Sequence, residues 1–217
     1  GVIGLQRLEG ACVMALGTYT ELQTSIADWL HRSDLTATIP DFIALAESRI
    51  SRDLRLRAQL TATTLSTVAD TQTVALPSDF LEIENISCTS GGMDRSMEFV
   101  TLERLNLSYP NGSGNGIPSV YSVVGSNLYL GRVPDAVYSL PFGYYAKFAA
   151  LSVTPTNWLL TNHPGVYLFG ALAESGDYTQ SDQIAKWEGK YSALVQALQL
   201  ADEKAKFSGA ALRVRGK

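Results

Sequence analysis

Apolar residues early in the chain recur in steps of three and four. Leu22, Ile26, Trp29 and Leu30 follow that spacing and predict one face of a helix. Thr18 and Glu21 form a capping-box pattern at its start, each side chain placed to satisfy an orphan amide. His31-Arg32-Ser33-Asp34 predicts its end, with a cationic last turn and turn-forming residues. A second helix begins around Pro40 and Asp41, with Phe42, Ala46, Ile50 and Leu54 on one face and Leu45 beside them.

Near Leu60 the period drops toward two. Threonine, valine and isoleucine dominate LTATTLSTVADTQTVALPSDFLEIENISC, which reads as strands punctuated at Asp70-Thr71 and Pro77-Ser78-Asp79. A short helical piece, TLERLNL, precedes the loop SYPNGSGNGIP, and VYSVV-GSN-LYL predicts a hairpin. VYSLPFGYYAKF predicts a further strand in which Pro141 implies an edge or a bulge. Helix returns after Pro155: a short one from about Pro164, ended by Gly176-Asp177, and a long one over about 181–206. Ile184, Trp187, Tyr191, Leu194, Leu198, Ala201 and Ala205 lie along the long helix as a heptad-like seam.

These elements predict an α+β fold. Two N-terminal and two C-terminal helices would bury their single apolar faces in a four-helix bundle-like domain, with a β-rich domain inserted between them. The expected divisions are an N-terminal extension at 1–17 outside the fold, a helical domain at 18–58 and 155–207, a β domain at 59–154, and a basic tail at 208–217.

With 46% hydrophobic and 18% charged residues the composition is that of a globular protein. A net charge of −4 argues against a surface that coats nucleic acid generally. Cys12 and Cys88 are too few for a disulfide framework. The longest apolar run, Val166 to Ala173, is far below the roughly 20 residues of a membrane span, and Arg7 and Glu9 break any signal-peptide core.

Candidate chemistry is sparse. His31 sits at a helix end and His163 at a helix entry, where capping explains an imidazole without catalysis; Cys88 lies in a strand end rich in threonine and serine. Two isolated histidines and two distant cysteines give no metal-ligand spacing, and no cofactor motif is present. Asn111-Gly112-Ser113-Gly114-Asn115-Gly116 is glycine-rich, yet it lacks the lysine and the strand-to-helix turn of a phosphate loop. It reads as a flexible surface loop. Glu82 and Glu84 alternate on a strand as a solvated face would. Arg49, Arg52, Arg55 and Arg57 gather at the end of the second helix, with Asp53 and Glu47 as local partners. As a group they are candidates for a subunit interface or a polyanion contact. The tail interleaves Arg213, Arg215 and Lys217 with Leu212 and Val214, a pattern suited to docking on a partner.

The order of several segments resembles a known family. TYTELQTSIADWLHRSDLTATIPDFIALAESRISRDLRLR comes first, then LPSDFLEIENI and SVYSVVGSNLYLGRVPDA, then YYAKFAALSVTPTNWLLTNHPGVYLFGALAESGDYTQSDQIAKWEGKYSALV. Together these cover most of residues 18–195 and resemble the head-to-tail adaptor (connector) proteins of tailed bacteriophages. The resemblance implies a virion structural protein without catalysis, made in the host cytoplasm. It implies a dodecameric homo-oligomeric ring beneath the portal protein that extends the channel for genomic DNA, without sequence specificity, and docks a tail component (a nozzle or tail-completion protein).

On that analogy Leu212, Arg213, Val214 and Arg215 are expected to touch the portal. The loops at Gly91-Gly92 and Asn111–Gly116 are expected to touch the tail or a neighbouring subunit. No membrane contact is expected. Residues 1–13 fit no part of the family pattern and read as an upstream extension or a processed arm. The rival readings are an envelope-degrading hydrolase using His163 or paired carboxylates, and a DNA-binding module using the arginines at 49–57.

Overall fold

The computed structural model describes residues 16–207. The described residues fall into two compact units, one made of residues 16–54 and 149–207 and the other of Arg55–Phe148.

The first unit is helical. Helix α1 (Tyr19–Leu30) starts on the expected capping box: the Glu21 amide donates to Thr18 Oγ1 at 3.3 Å, and the Thr18 amide donates to Glu21 Oε2 at 2.9 Å. Its end is set by backbone, not charge. His31 adopts the left-handed conformation, φ 51°, and its N–H returns to the carbonyls of Ala27 and Asp28. Helix α2 (Ile39–Asp53) carries Pro40 in its first turn and buries Ile39, Phe42, Ile43, Ala46 and Ile50.

The four-helix bundle of two N-terminal and two C-terminal helices does not form. Beyond residue 148 the chain supplies three helices: α4 (Trp158–Asn162), α5 (Pro164–Thr179) and α6 (Ile184–Phe207). Helix α5 is the common neighbour of α1, α2, α4 and α6, so it is a hub and not one corner of a four-sided bundle. Its sequence shows why: Val166, Tyr167, Leu168, Ala171 and Leu172 are all buried, so it is apolar around most of its circumference. Gly170 lets α2 and α6 approach together, since a Cβ there would lie 3.3 Å from both Ala46 Cβ and Tyr191 Cε2.

Gly176 does not stop α5. It is a buried helical residue whose missing Cβ makes room for the Ile184 side chain, and the helix ends at Gln180 in the left-handed conformation, φ 50°. The seam of α6 is also shorter than its sequence suggests: Trp187, Tyr191 and Val195 are buried, whereas Ala201 is exposed.

Helix α4 is held by Asn157. Its Oδ1 accepts the Leu160 amide at 2.9 Å, while Nδ2 donates to the Ala149 carbonyl at 3.0 Å and to the Tyr167 hydroxyl at 2.8 Å. Burial pushes the Tyr167 hydroxyl pKa upward, so it stays neutral in this network.

The second unit contains two four-stranded sheets. In the first, β1 (Leu60–Ser66), β8 (Ser139–Ala146), β3 (Phe80–Ser90) and β4 (Met93–Ser96) lie side by side in that order, all antiparallel. In the second the order is β2 (Thr73–Ala75), β7 (Asn127–Leu130), β6 (Val120–Val124) and β5 (Glu98–Phe99), with β5 parallel to β6. Helix α3 (Leu102–Ser108) packs on β6. The two sheets share one core, to which the first contributes Ile86, Cys88, Leu140, Phe142 and Tyr144 and the second Val74, Tyr121, Leu128 and Leu130. Burying a side chain such as Phe142 stabilises the unit by about 1.5–3 kcal/mol.

The β6–β7 hairpin turns at Gly125-Ser126, with Gly125 at φ 59° as a two-residue turn requires. Pro141 lies on neither an edge nor a bulge: β8 is an inner strand, and the register shifts fall between Phe80 and Glu82 and between Ile83 and Asn85. The β3–β8 pairing instead has an interval between Ile86–Phe142 and Thr89–Ser139, which is where the proline has no N–H to give.

Candidate functional site

Arg49 is the most heavily engaged charged residue of the helical unit. It projects from α2 with its side chain 19% exposed, and meets Glu188 of α6 through both terminal nitrogens. Glu174 of α5 lies 3.3 Å from Nη1, and Asp53, one turn along α2, lies 3.5 Å from Nε. The guanidinium also stacks over the Tyr191 ring at 4.2 Å, and the Tyr191 hydroxyl donates to Asp53 Oδ2 at 3.2 Å. One residue therefore ties together three helices. The hydrogen bonds to Glu188 raise the pKa of Arg49 and lower that of Glu188, and burial raises that of the Tyr191 hydroxyl.

Of the other arginines, only Arg52 touches the edge of this node, through Asp53. Arg52 is 72% exposed and contacts Asp53 at 3.2 Å. Arg55 and Arg57 belong to the other unit, where Arg55 Nε lies 3.2 Å from Glu82 Oε2. The arginines at 49, 52, 55 and 57 are thus divided between the two units. Glu47, expected as a local partner for them, instead accepts the Leu151 amide at 2.7 Å, and burial raises its pKa. Sequence spacing shows Asp53 as a partner of Arg49, but Glu174 and Glu188 are 125 and 139 residues away and no local pattern reveals them.

The glycine loops differ in character. Gly91 and Gly92, at φ 59° and 77°, form the exposed tip between β3 and β4, with open space around both. In the Asn111–Gly116 loop, Gly114 is open and exposed, but Gly112 is buried at φ 67° against Val133 and Gln72. The Gly116 amide also donates to the Val133 carbonyl at 2.9 Å. That loop is pinned at Gly112 and Gly116, with Asn111 and Ser113 to Asn115 exposed. The tail residues Leu212, Arg213, Val214 and Arg215, and the extension at 1–15, lie outside the described residues.

His163 forms the joint between α4 and α5. Its amide donates to the Leu159 carbonyl at 2.8 Å, its side chain makes no capping bond, and its ring lies 5.5 Å from that of Trp158. Cys88 is buried in β3 within the sheet core, where desolvation raises its thiol pKa. The described residues form several open clefts. One of about 360 Å³ lies beside α3, lined by Glu98, Thr101, Arg104 and Tyr109. One of about 440 Å³ lies between the end of α1 and the α5–α6 turn, lined by Trp29, His31, Arg32 and Trp187. Among the described residues no group of three or more acidic, histidine or cysteine side chains could hold a metal ion, and no helix is long and apolar enough to cross a membrane.

The sequence matches the family described as SU10 adaptor protein over residues 17–215, a span that includes both compact units. No curated protein matches the chain. The family match covers most of the chain and agrees with the resemblance carried by the motifs between residues 18 and 195. The chain belongs to the SU10 adaptor protein family, a family of bacteriophage structural adaptors.

Proposed function

We propose that this protein is the ring-forming connector between the portal and the tail of a phage particle. The observation that carries the reading is the extent of the family match, which runs through both units and on to residue 215 in the basic tail. In this account twelve copies surround the channel through which genomic DNA passes, bound by no base-specific contact. A net charge of −4 suits such a passage, because a strongly basic wall would retain the DNA.

Leu212, Arg213, Val214 and Arg215 dock on the portal, two cations alternating in sequence with two apolar side chains. The turn at Gly91-Gly92 and the projecting part of the Asn111–Gly116 loop face the tail component or a neighbouring subunit. Arg52 is the arginine best placed for a subunit contact, since its side chain is 72% exposed, whereas Arg49 is engaged within its own unit.

Co-sedimentation with purified portal rings tests this reading. The full chain is expected to sediment with the rings, and a chain lacking residues 209–217 to bind at least tenfold more weakly while keeping its far-ultraviolet dichroism. Equal binding by the truncated chain would remove the tail from the interface. Failure of the full chain to bind would remove the portal from the account.

A further inference from the structure

Among the described residues the two sheets of the β unit have four edges, and both edges of the second sheet are blunted by length. β5 spans two residues and β2 three, whereas β4 of the first sheet has four residues, with Asp94 and Arg95 among them, and offers a short stretch for pairing. Very short strands are a common way to protect an edge from joining another strand. β1 has no such protection. Its seven residues, Leu-Thr-Ala-Thr-Thr-Leu-Ser, include no charge and no proline, and all but the half-buried Leu65 are exposed. Among the described residues it pairs with β8 on one side only, and the row of backbone donors and acceptors on its other side faces no strand.

The topology indicates what fits there. The sheet has four alternating antiparallel strands, so its two outer strands, β1 and β4, run in opposite directions. A second copy placed edge to edge would therefore set its β4 antiparallel to β1 and continue the pattern unbroken. The levels agree as well. Ser66 pairs with Ser139, Ser139 with Thr89 and Thr89 with Asp94, so the outer end of β1 and the middle of β4 stand in one row across the sheet. Asp94 of one copy would then meet Ser66 of the next, and Ser96 would meet Thr64. Joining two different edges is a head-to-tail contact, the kind that closes into a ring; pairing β1 with β1 would close as a dimer.

We infer that β1 accepts β4 of a neighbouring copy, so that the four-stranded sheets join into one continuous sheet between subunits. This rests on the ring proposed above and identifies a contact that builds it.

The test uses phage particles carrying the full chain with Cys12→Ser, Thr64→Cys and Ser96→Cys. Within one chain the two new cysteines are three strand spacings apart, about 14 Å, too far for a disulfide to form between them. Oxidation is expected to give a ladder of dimers, trimers and larger species, while Thr64→Cys alone and Ser96→Cys alone give no ladder. Hydrogen exchange of the unsubstituted chain provides a second measurement should the variant fail to enter particles. The outward amides of β1 within Thr64–Ser66, which meet β4, are expected to be at least tenfold better protected in particles than in the isolated chain. A ring visible in the particles without a ladder or added protection would overturn the contact and leave the ring. Dimers from Thr64→Cys alone would replace it with two-fold pairing. Particles without a ring of this chain would overturn both.

Discussion

Replacing Arg49 by methionine tests whether the helical unit depends on one ionic junction. The substitution keeps an unbranched apolar stem but removes the charge that Glu188, Glu174 and Asp53 share. A fully exposed ion pair contributes about 0.2–1 kcal/mol, and breaking a fully buried one costs about 3–5 kcal/mol. Arg49 is 19% exposed and its partners 28–42%, so the site lies between these limits. Loss of the stacking on Tyr191 adds to the cost.

Together these give an expected loss of about 2–3 kcal/mol, or a drop in Tm of about 4–12 °C for a chain of this size. Chemical denaturation of Arg49→Met, Glu188→Gln and the double variant, each followed by circular dichroism, provides the assay, and a coupling of about 1 kcal/mol is expected. Acid provides an independent check of sign. Arg49 holds the pKa of Glu188 below its ordinary range, so the stability from this pair is fully present above that range and lost as the pH falls through the lowered value. The gap between native chain and variant should therefore narrow below about pH 4.5. A loss under about 0.5 kcal/mol, with no coupling and no narrowing in acid, would show that the junction is not a stabilising one.

Substitutions at Gly176 and at Glu47 test other parts of the helical unit. Gly176→Ala should cost about 1–3 kcal/mol through collision with Ile184 and be partly rescued by Ile184→Ala, as read by thermal denaturation; were Gly176 a left-handed helix stop, alanine would also destabilise but Ile184→Ala would rescue nothing. Glu47→Gln should leave Tm at pH 7 unchanged or raised, because it keeps an acceptor for the Leu151 amide and removes a half-buried charge, while Glu47→Ala should cost about 1 kcal/mol.

Local rules made some features legible and long-range contacts hid others. The Thr18–Glu21 capping box and the Gly125-Ser126 hairpin each depend on residues a few positions apart, and the sequence displays them in full. Helix α4 is five residues long, too short for any apolar period, and only Asn157 three positions before Leu160 marks its start. Gly176 was misread because a glycine that admits Ile184 is indistinguishable in sequence from one that ends a helix. The bundle was misread for a related reason. Four amphipathic patterns suggested four equivalent helices, whereas the apolar circumference of α5 makes it a hub. Among the candidate sites, the exposed Gly91-Gly92 turn was legible from its residues. The commitment of Arg49 to Glu174 and Glu188 was not, because those partners follow the whole β unit in the chain.

The central claim, a ring that joins portal to tail, is tested most directly by imaging the complex of this protein with isolated portal rings. The account predicts a twelve-fold collar of this chain seated on one face of the portal. A portal left bare at saturating protein, or single copies bound without contact between neighbours, would contradict it.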